Sequence, residues 1–566
     1  MTTREGIVAL RSDGVIEAPT WFGPDDRPLF GWFVYPEQAR VRGAVVLCAP
    51  LAEDGNKSHR TFRECARALA KEGFLAFRFD YDGTGDSAGG LNDPGRRTAW
   101  VGSVRSAVEK ARHCGVDSVS IVGMRMGATI ALNAALDGDL ELDRLVLWDP
   151  CATGSAYLRE QQLLQASWPG ARRDVPEGWV ETPAYLFSPD TAQDVRSLAL
   201  STTLDHDVAH ETTVLVRDDR PVPKRIADAL PRDRFTWFDV SDQAGLMDVP
   251  AMDAAVPTET VRTIVTMFTS SPPSATVDLH IDQQLAAEWT LDGQPIAETA
   301  EFLGNEGLLF GIITKPGDEA RQDMPARRSA LFLNVASERH IGVGRMWTEL
   351  SRSLVRDNVM SVRMDQSGVG DSGVHPGQRP DAVYDAAWID DVPDALTSFP
   401  DAAGIVGVGV CSSAVSTLQA AADGALPEVV AVNGGLMFKN HVLSRRWTVV
   451  VQRKQWLRRL AIKHSRTAAL LENAWSTVRP SRHPFHVFGR LIDSGVTVTL
   501  LSAPEDAAKL RPTPIWNRLW GRKIDSSPLF RNEVFPEIDH SLRSSTARDV
   551  VSQRLAAILT SQPNGA

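Results

Sequence analysis

FRFDYDGTGDS (77–87) returns as VRMDQSGVGDS (362–372), 285 residues later. Three more matches keep nearly the same offset. Phe30-Gly31 answers to Phe310-Gly311. Arg67 and Leu69 answer to Arg352 and Leu354. ALNAALDG (131–138) answers to TLQAAADG (417–424). Ordered matches at one spacing mark an internal duplication. The 566 residues therefore read as two copies of one unit, 1–269 and 277–566. The linker is expected at 270–276, within the Ser- and Pro-rich TSSPPSAT.

Each copy alternates short apolar runs with helical patterns. AVVLCAP (44–50), FLAFRFD (74–80), SVSIVGM (118–124) and RLVLWDP (144–150) read as buried strands. SALFLNVA (329–336), VMSVRMD (359–365), AGIVGVGV (403–410) and EVVAVNG (428–434) repeat them. FRECARALAKEG (62–73) is helical in pattern. Strands alternating with helices predict an α/β fold with a mostly parallel sheet.

Composition narrows the function. Hydrophobic residues make up 43% and charged residues 23%, which excludes a wholly disordered chain. A net charge of -11 argues against nucleic acid as the general partner. No run approaches a membrane span or the apolar core of a signal peptide. Five scattered cysteines give no disulfide framework, and the expected location is cytoplasmic with reduced thiols. There is no phosphate-binding G-x-x-x-x-G-K-[ST] and no C-x-x-C or H-E-x-x-H, so neither a cofactor nor a metal is expected.

A strand, then D-x-x-G-x-G-D-S, then a strand ending in a glycine-flanked turn into a helix, resembles the α/β-hydrolase superfamily. Both halves carry the pattern. The first also resembles hydrolase-like proteins of bacterial exosortase and polysaccharide systems, in NKSHR (56–60), GMRMGA (123–128) and LVLWDP (145–150). The resemblance implies two tandem α/β-hydrolase folds, each a central sheet flanked by helices with a helical lid. It also implies a nucleophile at the strand-to-helix elbow, whose strained backbone needs small neighbours.

In the second half the elbow reads Gly409-Val410-Cys411-Ser412-Ser413-Ala414, placing Cys411 at the nucleophile position. Ser412 is the rival, disfavoured because Val410 lies two residues before it. Ser413 departs from the family's glycine. The family order then puts the acid after GVTVTLLS (495–502), at Asp506 with Glu505 as alternative, and the histidine at His540. By resemblance, backbone N–H groups of Ser412 and of Ala336 would hold an oxyanion. The implied chemistry is acyl transfer or hydrolysis through an acyl-cysteine, as in the dienelactone hydrolases and some thioesterases that this elbow resembles. A plain ester or lactone hydrolase and a non-catalytic binding scaffold are the alternatives.

The first half has Arg125 at its elbow and Asp242-Gln243 where the second has Asp539-His540. It reads as a degenerate copy, with Arg125 expected to pair with Asp218 or Asp219 or to bind an anion. Asp80, Asp86, Asp365 and Asp371 occur in both halves and read as structural turn residues. A basic lid is expected at about 437–490. It carries twelve Lys and Arg, among them Arg453, Lys454, Arg458 and Arg459, against the single acid Glu472. It predicts an acidic partner: an acyl carrier protein, another anionic acyl-bearing molecule, a lipid surface, or the acidic first half.

Overall fold

The computed structural model describes residues 7–137, 140–167, 175–200, 208–270, 275–317, 328–380, 385–399, 404–434, 484–510 and 521–561. The apolar runs become strands where expected: Ala44–Cys48, Leu75–Phe79, Val119–Met124 and Arg144–Trp148 in one half, and Arg328–Leu333, Val359–Met364, Ile405–Val410 and Glu428–Val432 in the other. Apart from Arg144, Ser329, Met360 and Glu428 they are buried throughout, as strands covered by helices on both faces must be.

There are two nine-stranded sheets. In the first, Leu10–Ser12, Val15–Phe22 and Leu29–Pro36 form an antiparallel edge that joins Leu75–Phe79. Ala44–Cys48, Val119–Met124, Arg144–Trp148, Glu211–Arg217 and Thr236–Val240 follow in parallel. The second repeats this order, from Ala286–Leu291 to Phe530–Val534. These are two α/β-hydrolase-like folds, each mostly parallel. The last strand, Phe530–Val534, stops short of Pro536, which has no N–H to give a ladder.

The turn D-x-x-G-x-G-D-S closes identically in both halves. Asp80 accepts the Asp86 N–H at 3.0 Å and Asp365 accepts that of Asp371 at 2.8 Å. The hydroxyls of Ser87 and Ser372 donate to the carbonyls of Asp80 and Asp365. A Cβ on Gly85 would sit 2.0 Å from the Asp80 carboxylate, and one on Gly370 2.2 Å from that of Asp365, so only glycine fits. These aspartates are turn residues as expected, but they also bind the other half. Arg78 reaches Asp371 at 2.8 Å, and Arg363 reaches Asp86 at 3.0 Å. Behind them, Glu17 holds Arg63 and Arg67, and Glu298 holds Arg352 and Arg363. Arg63 donates to the carbonyls of Gly370 and Ser372, and Arg352 to those of Asp86 and Ser87.

An apolar seam accompanies the charges. Phe30 and Phe310 stack at 6.1 Å, and Trp32 meets Phe310 edge-on at 4.7 Å. One core cluster contains Trp21, Phe30 and Trp32 together with Trp289, Ile296 and Phe310, so the halves share a hydrophobic core. The segment after the linker strengthens it. Val277–Asp278 pairs with Arg40–Val41, and Gln283 bonds the backbone of Val8 and Pro19. Residues 271–274 of the expected linker lie outside the described residues.

His340 is wholly buried between Asp365 of its own half, at 2.8 Å, and Asp86 of the other, at 2.7 Å. Burial alone would lower its pKa, but the two carboxylates raise it to about 10. Its contribution to stability is therefore complete below the ordinary value of 6.5 and is lost as pH rises through about 10. Asp86→Asn removes the buried anion that Arg363 and His340 share, leaving them only Glu298 and Asp365, and is expected to cost about 3–5 kcal/mol in a urea titration. Wild type should lose stability from neutral pH to about pH 10, while His340→Gln should start lower and change less. A His340→Gln variant as stable as wild type at neutral pH would contradict this.

Candidate active site

The strand Ile405–Val410 ends at Cys411, and the helix Ser412–Ala422 begins at once. Cys411 has φ 53°, an uncommon region for a residue with a Cβ. The surroundings hold it there. Its N–H donates to Val432 O at 2.9 Å. The Ser413 hydroxyl accepts from Val410 N–H at 2.9 Å and donates to Val410 O at 3.1 Å, so the departure from glycine closes the turn instead of spoiling it. A Cβ on Gly409 would lie 2.5 Å from Ser413 O, which fixes that glycine. Arg125 in the first half has the same φ of 53°.

Acid and histidine arrive from the next two crossovers. Asp506 lies in the first turn of Pro504–Leu510 and is fully buried, whereas Glu505 is exposed. Asp506 Oδ2 is 2.8 Å from His540 Nδ1, and His540 Nε2 is 3.4 Å from Cys411 Sγ. The three residues chosen from the sequence thus form one chain of contacts. Burial would lower the His540 pKa, but its bonds to Asp506 and Cys411 outweigh this and raise it to about 10. The same two partners favour the charged ring, which faces Cys411, a residue only 6% exposed.

Asn433 was not singled out in the sequence, yet it ties these loops together. Its side-chain amide donates to the carbonyls of Asp539 and His540 at 2.9 and 3.1 Å, and its oxygen accepts the Ala503 N–H at 2.8 Å. The signal available was positional: Asn433 ends a strand where the first copy has Asp149. A lone asparagine in a loop suggests no chemistry by itself.

Ser412 does not contact His540. Its hydroxyl accepts the Ala336 N–H at 2.8 Å. That amide is thereby occupied, while the Ser412 N–H opens a helix and has no intrahelical partner. Residues 435–483 lie outside the described residues, and with them Arg453, Lys454, Arg458 and Arg459. At the edge of the expected lid, Arg490 bonds Asp423 and the Ala422 carbonyl.

In the first half, Arg125 does not pair with Asp218 or Asp219. It lies 2.6 Å from Glu160, 3.3 Å from Asp54 and 3.6 Å from Asp149, while Asp219 binds Arg217. The elbow projects its side chain over the carboxyl edge of the sheet, toward the acids of the neighbouring loops and of the helix Gly154–Ala166. Gln243 occupies the histidine position and donates to Asp149 at 2.7 Å.

Residues 39–213 match the family described as serine aminopeptidase, S33; this is the half with arginine at its elbow. A putative hydrolase from Agrobacterium vitis S4 is 17% identical with a TM-score of 0.32, and covers 45% of this chain and 98% of its own. Est1E from Butyrivibrio proteoclasticus, bound to ferulic acid, is 14% identical with a TM-score of 0.34, covering 44% and 98%. The 2-hydroxy-6-oxo-6-phenylhexa-2,4-dienoate hydrolase of Rhodococcus sp. strain RHA1 is 16% identical with a TM-score of 0.32, covering 45% and 100%.

The other four thiols are buried, and none bonds an imidazole among the described residues. Burial raises Cys65, Cys114 and Cys151 to about 12, and Cys48 higher still. Iodoacetamide applied to the native protein near neutral pH should therefore modify Cys411 alone, as read by peptide mapping. Labelling spread evenly over the five cysteines would contradict the site's geometry.

Proposed function

We propose that the second half catalyses acyl transfer or hydrolysis through a covalent acyl-cysteine, with an acyl thioester or ester as substrate. The observation that carries this reading is the contact chain Cys411–His540–Asp506, at 3.4 and 2.8 Å. The charged His540 pairs with a Cys411 thiolate, the form of cysteine that attacks carbonyls. The thiolate adds to the acyl carbon, and the bond to the leaving thiol or alcohol breaks. His540 Nε2 gives its proton to that leaving group. Water or an acceptor then loses a proton to His540 and attacks the acyl-cysteine, freeing the thiolate. Asp506 fixes the ring and stabilises its charge.

The oxyanion would be received by the Ser412 N–H at the helix N-terminus. The Ala336 N–H would join it once the Ser412 hydroxyl turns away. The first half, with arginine and glutamine in place of nucleophile and histidine, is non-catalytic. The charge of segment 437–490 in the sequence favours a carrier-bound acyl group over a neutral ester.

Incubation with acyl thioesters and aryl esters should leave an acyl adduct on wild type, detected by intact-protein mass spectrometry, or else release product. Cys411→Ala should give neither. Adduct and turnover retained in Cys411→Ala would overturn the reading, and neither adduct nor product from wild type would leave the scaffold alternative. Separately, charge reversal at Arg453, Lys454, Arg458 and Arg459 should slow turnover of a carrier-bound substrate and spare that of a small aryl ester. Equal effects on both would remove the carrier from the proposal.

A further inference from the structure

We propose that the first half supplies the second with a positioning residue: Glu53, which holds the loop bearing His540. The inference rests on the acyl-cysteine reading and deepens it, since it makes the active site incomplete without the degenerate copy.

His540 lies between the last strand and the final helix Ser545–Thr560. On one side its carbonyl is held by Asn433. On the other, three residues along, the guanidinium of Arg543 bonds Glu53 Oε1 at 2.5 Å across the boundary between halves. Both side chains are shielded, at 13% and 2% exposure. An arginine so placed cannot drift from its carboxylate without leaving a buried charge unpaired, so the contact is stiff. A second tie lies one turn on, where Glu181 of the first half accepts from the N–H and hydroxyl of Ser545.

The origin of Glu53 in the fold gives the contact its meaning. It follows Ala52, at φ 54°, just after the strand Ala44–Cys48. Ala336, at φ 51°, occupies the same place after Arg328–Leu333. The loop that presents a candidate oxyanion donor in one half is therefore a pair of acids in the other. Asp54 turns back to the first half's own Arg125, at 3.3 Å. Glu53 turns outward to Arg543. Glu338 on the second half's loop is a weak competitor for Arg543, because burial, with Glu53 beside it, raises its carboxyl to about 7.

The test uses the full chain and the pH profile of iodoacetamide reaction at Cys411. Glu53→Gln and Arg543→Met should each slow the reaction near neutral pH about tenfold. Each should also move the profile toward that of His540→Ala. The double variant should be no slower than either single one, because the two act as one contact. Arg543→Lys should keep most of the rate. If Glu53→Gln does not fold, Glu53→Asp, which withdraws the carboxylate by one methylene, carries the same comparison. Profiles that coincide with wild type, with Cys411 still reactive and dependent on His540, overturn this inference alone. An unreactive Cys411 in wild type overturns the acyl-cysteine reading and this inference with it.

Discussion

Each half of the chain neutralises an aspartate of the other. Arg78 meets Asp371, and Arg363 meets Asp86. All four side chains are buried, and a buried charge without its partner is costly. The exchange is reciprocal, so the guanidinium that meets Asp86 or Asp371 comes from the other half. The repeated D-x-x-G-x-G-D-S segment thus holds a sheet edge in place and joins the halves. His340, shared between Asp365 and Asp86, joins the same network from a loop that begins at Ala336. The geometry of the half that holds Cys411 and His540 therefore depends on the half that holds Arg125 and Gln243.

The elbow of the first half follows the same economy of buried charge. Once arginine stands at an elbow, its guanidinium needs acids around it, and Asp54, Asp149 and Glu160 provide them. Gln243 then binds Asp149 where a histidine would add another positive charge. The second half shows the opposite arrangement: one thiol, one imidazole and one buried carboxylate. The two elbows have the same backbone φ, so the fold sets the turn and the side chain sets what the turn does.

Much of this was legible in the sequence. The eight core strands were readable because buried parallel strands are continuous apolar runs, and the contact of Cys411, Asp506 and His540 because the elbow and the order of the later strands bring them together. Other features were not. The partners of Arg125 come from loops far apart in sequence, so nearness in the acid loop pointed to Asp218 and Asp219 instead. The second role of Asp86 and Asp371 depends on how the two halves pack, which the sequence of one half cannot reveal. Asn433 and Glu53 act by holding backbone or a distant arginine, and such residues carry no motif. Several tryptophans that suggested no function, Trp21, Trp32 and Trp289 among them, build the seam between the halves.

The most direct measurement is nitrogen NMR of the histidine rings in the intact protein, with His340→Gln and His540→Gln used to assign the two signals. Both rings should carry two protons at neutral pH and keep them until about pH 10, His340 because of its two aspartates and His540 because of Asp506 and Cys411. Cys411→Ala should lower the value for His540 and leave His340 unchanged. Two rings that lose a proton near the ordinary 6.5 would contradict both the lock between the halves and the thiolate–imidazolium pair.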